Sequence, residues 1–502
     1  MKLSSKIGLL VGAAAFLYIT LFVNLDPSNP KITYTMAVAA LMAIWWMTEA
    51  IPLAATSLVP LILFPLFGIL KGEETAGAYI NSIIFLFLGG FLLALAMEEW
   101  GLHKRIALKI ITLFGGSPGS IITGFMIATA FLSMWISNTA TAIMMLPIGL
   151  AIIQKMETEF GEERVKNFSI ILMLSIAYSC SLGGIATIIG TPPNLVFLRV
   201  SKIIFPSAPV ISFASWMLFA VPISILMLLF TSFMLTKVFF KFDKKLVINP
   251  GFIKEEYRKL GKISFEEITI GLVFGITALL WVFRADLNFG FIKIPGWQNI
   301  LPYPNFINDG TIAVTMALIL FFIPSRNKEK KNGTLLGAKI FAKVPWSVIL
   351  LFGGGFALAE GFTKSGLSEF IGTRFHGIGS LSPLIIAFAV GASINFLTEL
   401  TSNTATSQMI LPVMASVSVA LGIHPFLLMI VATLSSSMAF MLPVATPPNT
   451  IIFASNRLKI SDMIKAGFVL NLMSIILVSI LIYLLGNILF DFNTFPAWAK
   501  IK

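Results

Sequence analysis

The chain has 502 residues, of which 57% are apolar and only 12% charged, with a mean hydropathy of +0.93; that is about half the charge share of a soluble protein and marks a polytopic helical membrane protein. The net charge of +12 does not indicate a nucleic-acid partner, because the basic residues sit in the short connections between apolar runs, as cytoplasmic loops require. One cysteine, Cys180, excludes an intrachain disulfide and a cysteine metal cluster, and His103, His376 and His424 have no ligand spacing.

Apolar runs of about 18 residues or more follow one another along the chain, long enough for a hydrocarbon core of about 30 Å. The first, 7–25, follows Lys2 and Lys6 and lacks a small-residue cleavage site, so it reads as a spanning helix and not a signal peptide. Runs at 33–49 and 52–70 come next. The run 82–113 is too long for one span, and Gly89-Gly90 is the expected break. After a turn at 115–119, the run 120–154 is interrupted by the polar stretch Ser137–Thr141. A single helix of that length would exceed about 50 Å, so a hairpin that enters and returns is expected, with its tip at Ser-Asn-Thr. The run 168–202 is broken by GGIATIIGTPPN, where two prolines forbid a continuous helix. A span at 211–240 leads to the most charged stretch, 237–262. The second half repeats the order: spans at 265–283 and before Pro324, a glycine-containing run at 346–375, a hairpin at 382–421, a run at 425–456 broken at LPVATPPN, and a last span at 464–490.

The twelve residues SNTATAIMMLPI from Ser137 recur 265 positions later as SNTATSQMILPV from Ser402, identical at eight positions. Gly89-Gly90-Phe91 matches Gly354-Gly355-Phe356 at the same offset, and TPPN at Thr191 recurs at Thr446. With about eleven spans and the N-terminus inside, 25 of the 35 Lys and Arg fall on the cytoplasmic side. The two hairpins then enter from opposite faces, and the C-terminus lies outside. This is an inverted-topology repeat with both tips near the midplane. The expected divisions are 1–81 (scaffold), 82–205 (first repeat core, hairpin 118–155), 206–264 (span and connector), 265–345 (second scaffold), 346–460 (second repeat core, hairpin 382–421) and 461–502 (last helix).

Small polar groups inside apolar sequence are costly unless they line a site. Ser133 with Ser137, and Thr398 with Ser402, stack two hydroxyls on one helical face. With the Asn138 and Asn403 side chains and freed backbone carbonyls they make neutral oxygen cages, too poor in carboxylate for a divalent ion and suited to Na⁺. The helix N-termini and the side chains of Asn138, Thr139, Asn403 and Thr404 supply donors for an oxyanion at each tip. No Lys or Arg lies near either tip, so bound Na⁺ would neutralise a dianion and couple the two ligands. Glu399, whose repeat mate is Met134, reads as a satisfied packing or gating carboxylate in preference to a proton or cation site; Glu49 and Glu360 read as interfacial.

The paired SNTAT…LP motifs, each followed by TPPN, together with WWMTEAIPLAATSLVPL from Trp45, resemble the divalent anion/sodium symporter family of dicarboxylate, tricarboxylate and sulfate carriers over residues 30–490. The resemblance, to a bacterial-type sodium-dicarboxylate symporter, implies a homodimer in the plasma membrane, with a fixed scaffold and a transport domain that moves as an elevator. It also implies one Na⁺ site from Ser133, Ser137, Asn138 and the Gly190 carbonyl. A second would use Thr398, Ser402, Asn403 and the Ala445 carbonyl. The anion would lie between Ser137-Asn138-Thr139 and Ser402-Asn403-Thr404, with Thr191, Thr446 and Pro447 nearby. The leading expectation is Na⁺-coupled symport of a C4-dicarboxylate such as succinate, fumarate or malate. A Na⁺-independent exchanger and a citrate- or sulfate-selective symporter are the alternatives on the same fold. A channel is disfavoured, and no catalytic His, Ser-His pair or metal cluster supports an enzyme.

Overall fold

The computed structural model describes residues 3–243, 246–247, 250–288, 293–327, 333–374 and 381–499. His376 and the C-terminal lysines fall outside them. Apart from a two-residue antiparallel ladder, Leu287–Asn288 with Lys293–Ile294, its regular structure is helical. Eight helices among the described residues are long and apolar enough to cross a bilayer.

The first half begins with α1 (Leu3–Phe22) and α2 (Pro30–Thr48), packed together. The contact is possible because a Cβ on Gly8 would stand 2.0 Å from the Thr48 hydroxyl and one on Gly12 2.5 Å from Trp45. The expected span 52–70 is instead two short helices, α3 (Leu53–Thr56) and α4 (Val59–Leu66), separated just before Pro60, which cannot donate into the preceding turn. The short α5 (Gly72–Gly77) precedes α6 (Ser82–Glu99) and α7 (Leu102–Thr112). The break in this run is at Gly101, in the left-handed region with φ +73, and not at Gly89-Gly90. Those glycines lie in unbroken helix, and a Cβ on Gly89 would fall 2.6 Å from the Ala313 backbone. The first hairpin is α8 (Pro118–Ser133) and α9 (Asn138–Phe160), followed by α10 (Glu162–Gly184), α11 (Pro192–Ile204) and α12 (Phe213–Phe233).

An amphipathic α13 (Pro250–Lys259) leads to α14 (Phe265–Val282), α15 (Asp309–Phe322), α16 (Trp346–Ser365) and α17 (Leu367–Thr373). The run 346–375 breaks at Gly366, φ +85, the repeat mate of Gly101. Gly354, the mate of Gly89, again seats a neighbouring segment: its Cβ would lie 2.4 Å from the Ser57 carbonyl. The repeated GGF motif therefore marks close helix packing in both halves. The second hairpin is α18 (Pro383–Thr398) and α19 (Asn403–Ala420), then α20 (Pro425–Ser435), α21 (Pro447–Phe453) and α22 (Ile460–Phe490). The break after α20 comes at Ser436, six residues before the expected LPVATPPN.

Each hairpin clasps the helix that follows it: α10 packs against both α8 and α9, and α20 against both α18 and α19. From Phe168 to Gly184 every residue of α10 is buried, as is every residue of α20. A helix apolar and buried all round is surrounded by protein and not lipid, so these two form the centres of the repeat cores. The halves then interlock crosswise. The helix after the first TPPN, α11, packs on α19 and α16, while the helix after the second, α21, packs on α9 and α10. The hairpin entry helices α8 and α18 have 16 residues each, short of the about 20 that a full span needs.

Candidate functional site

The first tip is the four residues between Ser133, the last of α8, and Asn138, the first of α9. Ser137 caps α9, its hydroxyl accepting from the Ala140 N–H at 3.2 Å. The Ser133 hydroxyl lies 2.5 Å from Asn138 Oδ1 and 2.8 Å from the Cys180 carbonyl of α10. The second tip has the same geometry: the Thr398 hydroxyl is 2.7 Å from Asn403 Oδ1 and 2.8 Å from the Ser436 carbonyl. In each case one hydroxyl hydrogen faces two acceptors, so three neutral oxygens converge with a single proton among them. A monovalent cation satisfies such a cluster, and no carboxylate enters either set to favour a divalent ion.

The broken segments close on these clusters. A Cβ on Gly184 would fall 2.6 Å from Asn138 Oδ1, and one on Gly190 2.4 Å from the Gly184 carbonyl. Only glycine lets the loop 185–190 reach the tip. The Thr187 hydroxyl donates to the Met134 carbonyl at 2.5 Å and accepts from the Gly190 N–H at 3.1 Å. In the second half, Ala445 donates to the Leu442 carbonyl at 3.2 Å, and the Leu442 N–H donates to Glu399. The structure thus gathers Ser133, Asn138 and Gly190 around the first tip, and Thr398 and Asn403 around the second, with Ala445 tied to it through Leu442 and Glu399.

Ser137, Asn138, Thr139, Ser402 and Asn403 are half-buried, and Thr404 is buried. Thr191 and Thr446 cap α11 and α21, the two helices that cross to the opposite hairpin; both are buried, and Pro447 is exposed. Sequence reasoning missed the Cys180 and Ser436 carbonyls, which are backbone groups without a side-chain signal. It also missed the last residue of each TPPN. Asn194 Nδ2 reaches the carbonyls of Gly184 (3.4 Å) and Thr187 (2.7 Å), and Asn449 Nδ2 those of Ala439 (3.2 Å) and Leu442 (3.0 Å). These are matching positions at the offset of 255, so each asparagine clamps its own unwound loop.

Glu399 behaves as a satisfied carboxylate, with three backbone N–H groups and Asn471 Nδ2 donating to it. Glu360, five residues before the end of α16, is half-buried and pairs with Arg199 of α11 at 3.1 Å. An open cleft lined by Ser82, Lys202, Arg284 and Asp309 lies away from the tips. Its Arg284 is held by Asp309 (2.5 Å) and Gln298 (2.7 Å), so that guanidinium is already neutralised.

The description "Sodium:sulfate symporter transmembrane region" matches residues 4–492. The chain belongs to the sodium:sulfate symporter family. Within it, the chain is 42% identical over 486 residues to the sodium-dependent dicarboxylate transporter SdcS of Staphylococcus saprophyticus, covering 95% of this chain and 91% of that protein. It is 42% identical over 484 residues to SdcS of Staphylococcus aureus, covering 95% and 90%. Solved structures share the fold at low identity. The YdaH transporter of Alcanivorax borkumensis matches with a TM-score of 0.56 at 14% identity, over 90% of this chain and 99% of that one. MtrF of Neisseria gonorrhoeae matches with a TM-score of 0.56 at 12% identity, over 94% and 98%.

Proposed function

We propose that this member of the sodium:sulfate symporter family is a Na⁺-coupled symporter of C4-dicarboxylates. The observation that carries the reading is the duplicated oxygen cluster, Ser133–Asn138–Cys180 in one half and Thr398–Asn403–Ser436 in the other. Two matching oxygen cages, each beside a helix N-terminus, suit two monovalent cations and an anion with a charge at each end. Two Na⁺ and one dianion make a neutral load, which avoids the cost of carrying net charge through hydrocarbon. The names of the Staphylococcus relatives favour dicarboxylate over sulfate and Na⁺ coupling over Na⁺-independent exchange.

The residues assigned are Ser133, Ser137, Asn138 and the Gly190 carbonyl for the first Na⁺, and Thr398, Ser402, Asn403 and the Ala445 carbonyl for the second. To these we add the Cys180 and Ser436 carbonyls. The anion lies between Ser137-Asn138-Thr139 and Ser402-Asn403-Thr404, with Thr191, Thr446 and Pro447 at its edge. The moving body comprises the two repeat cores, 82–205 and 346–460, carried as an elevator against the scaffold segments 1–81 and 265–345 in a homodimer. The N-terminus is cytoplasmic and the C-terminus outside. The crosswise packing of α11 and α21 favours motion of the two repeat cores as one unit.

The deciding experiment is counterflow of radiolabelled succinate in proteoliposomes, with Na⁺ replaced by K⁺ or choline. Exchange that stops without Na⁺ is the expected result; undiminished exchange would establish the Na⁺-independent exchanger instead. Asn138→Ala and Asn403→Ala each abolish uptake if the tips form the site, and near-normal uptake in both would refute it.

A further inference from the structure

The two cages have the same oxygens but not the same surroundings. Where α20 stops at Ser435, the chain frees the N–H groups of Phe440, Met441 and Leu442. Glu399 collects all three, at 2.7, 2.9 and 3.0 Å, and accepts a fourth bond from Asn471 Nδ2 of α22 at 2.8 Å. Its mate in the first half is Met134. There the broken loop is held by neutral donors on carbonyls instead: Trp216 Nε1 on Ile185 (3.0 Å), the Ser224 hydroxyl on Leu182 (2.6 Å) and the Thr187 hydroxyl on Met134 (2.5 Å). At the offset of 255, Trp216 stands where the second half has Asn471. The same loop is pinned without charge in one repeat and by a carboxylate in the other.

That carboxylate is 3% exposed, and among the described residues it makes no ion pair with Lys, Arg or His. All four donors are neutral N–H groups, so none of them brings a positive charge to the carboxylate. The position of the charge is specific. Glu399 directly follows Thr398, whose hydroxyl belongs to the second cage, and the backbone it holds, 440–442, follows Ser436, whose carbonyl accepts from that hydroxyl.

We propose that Glu399 makes the two sodium sites unequal: the cage of Thr398, Asn403 and Ser436 is the tighter one and fills before the first cage. This rests on the symporter reading above. At an effective dielectric of about 20, an uncancelled unit charge within about 10 Å of a cation raises its affinity by about tenfold or more.

The test is binding of ²²Na⁺ to the purified full-length protein without anion. The wild type is expected to show one tight and one weak component per chain. Ser133→Ala keeps the tight component, and the shape-conserving Thr398→Val removes it. Glu399→Gln shifts the tight component at least tenfold toward the weak one. Asn471→Ala, which removes one of the four bonds but no charge, leaves it within twofold. Survival of the tight component in Thr398→Val, or its loss in Ser133→Ala, overturns the proposal even if Glu399→Gln does not fold. So does an Asn471→Ala profile that reproduces Glu399→Gln, since the role would then be structural only. Two equal components refute the inequality alone; no Na⁺ binding in the wild type refutes the symporter reading with it.

Discussion

Gly184→Ala tests the first cage without touching any of its oxygens. The added Cβ would lie 2.6 Å from Asn138 Oδ1, 3.1 Å from its Nδ2 and 3.2 Å from its Cγ. Rotating the amide exchanges oxygen for nitrogen and relieves nothing, so the whole side chain has to retreat. Reaching ordinary contact at 3.4 Å requires a shift of about 0.8 Å, and the Ser133 contact, 2.5 Å at present, then stretches past the range of about 2.5–3.0 Å for such bonds. The overpacking costs about 1–3 kcal/mol. Leaving a buried acceptor unpaired costs a similar about 1–3 kcal/mol. The overpacking falls on the fold and the lost bond on the site; since about 1.4 kcal/mol is a factor of ten, the Na⁺ concentration for half-maximal succinate uptake should rise between about fivefold and about 150-fold. Gly90→Ala is the control. It sits in helix beside the same loop, but its Cβ would meet nothing closer than Ile189 at 3.6 Å, and both variants gain up to about 1 kcal/mol of helix propensity. Proteoliposome uptake across a Na⁺ titration, with thermal melting of each variant, separates misfolding from a weakened site. A Gly184→Ala protein whose half-saturation matches that of Gly90→Ala would show that Asn138 is not a cation ligand.

Asn449→Leu should be similarly damaging, because it strands the Ala439 and Leu442 carbonyls at about 1–3 kcal/mol; uptake and melting temperature are expected to fall together, and a fully active variant would remove the loop-clamp role. His424, in the connection before α20, is packed against Phe426, Phe492 and Trp498, and burial pushes its pKa down from 6.5 to about 4, against the opposing charge of Asp491. Because the unfolded chain binds that proton more readily, stability is complete above about pH 6.5 and declines as pH falls toward 4. His424→Asn keeps an N-cap and should lose less melting temperature than the wild type between pH 7 and 4; parallel loss would show that His424 does not contribute. Asp309→Asn leaves the buried Arg284 guanidinium without its counter-charge, so melting should drop by the equivalent of about 3–5 kcal/mol, with no change in Na⁺ half-saturation.

How far the sequence carried depended on whether a feature resides in side chains or in backbone. The hairpin tips were legible because Ser-Asn-Thr is a conspicuous polar island in apolar sequence, and its recurrence supplied the second copy. The helix breaks were half legible: prolines marked TPPN correctly, but glycine pairs misled. Gly89-Gly90 has the composition of a kink and the function of a contact surface, while the isolated Gly101 and Gly366 are the actual breaks because each adopts a positive φ, which a string of letters does not reveal. The Ser436 break was invisible, since no proline or glycine stops α20 there. It ends because Glu399, 41 residues upstream of Phe440, offers its N–H a better acceptor than the preceding turn does.

That last contact also explains why the two repeats diverge where they do. A broken helix leaves unpaired N–H and carbonyl groups that lipid cannot satisfy, so protein must satisfy them. The first repeat meets the need mainly on the carbonyl side, through Trp216, Ser224, Thr187 and Asn194; the second meets it on the N–H side through Glu399, with Asn449 retained for the carbonyls. Both solutions preserve the hydroxyl–amide–carbonyl cluster at the tip, which is therefore the part under common geometric demand. The supports behind it were free to differ, and only one of them brought a charge.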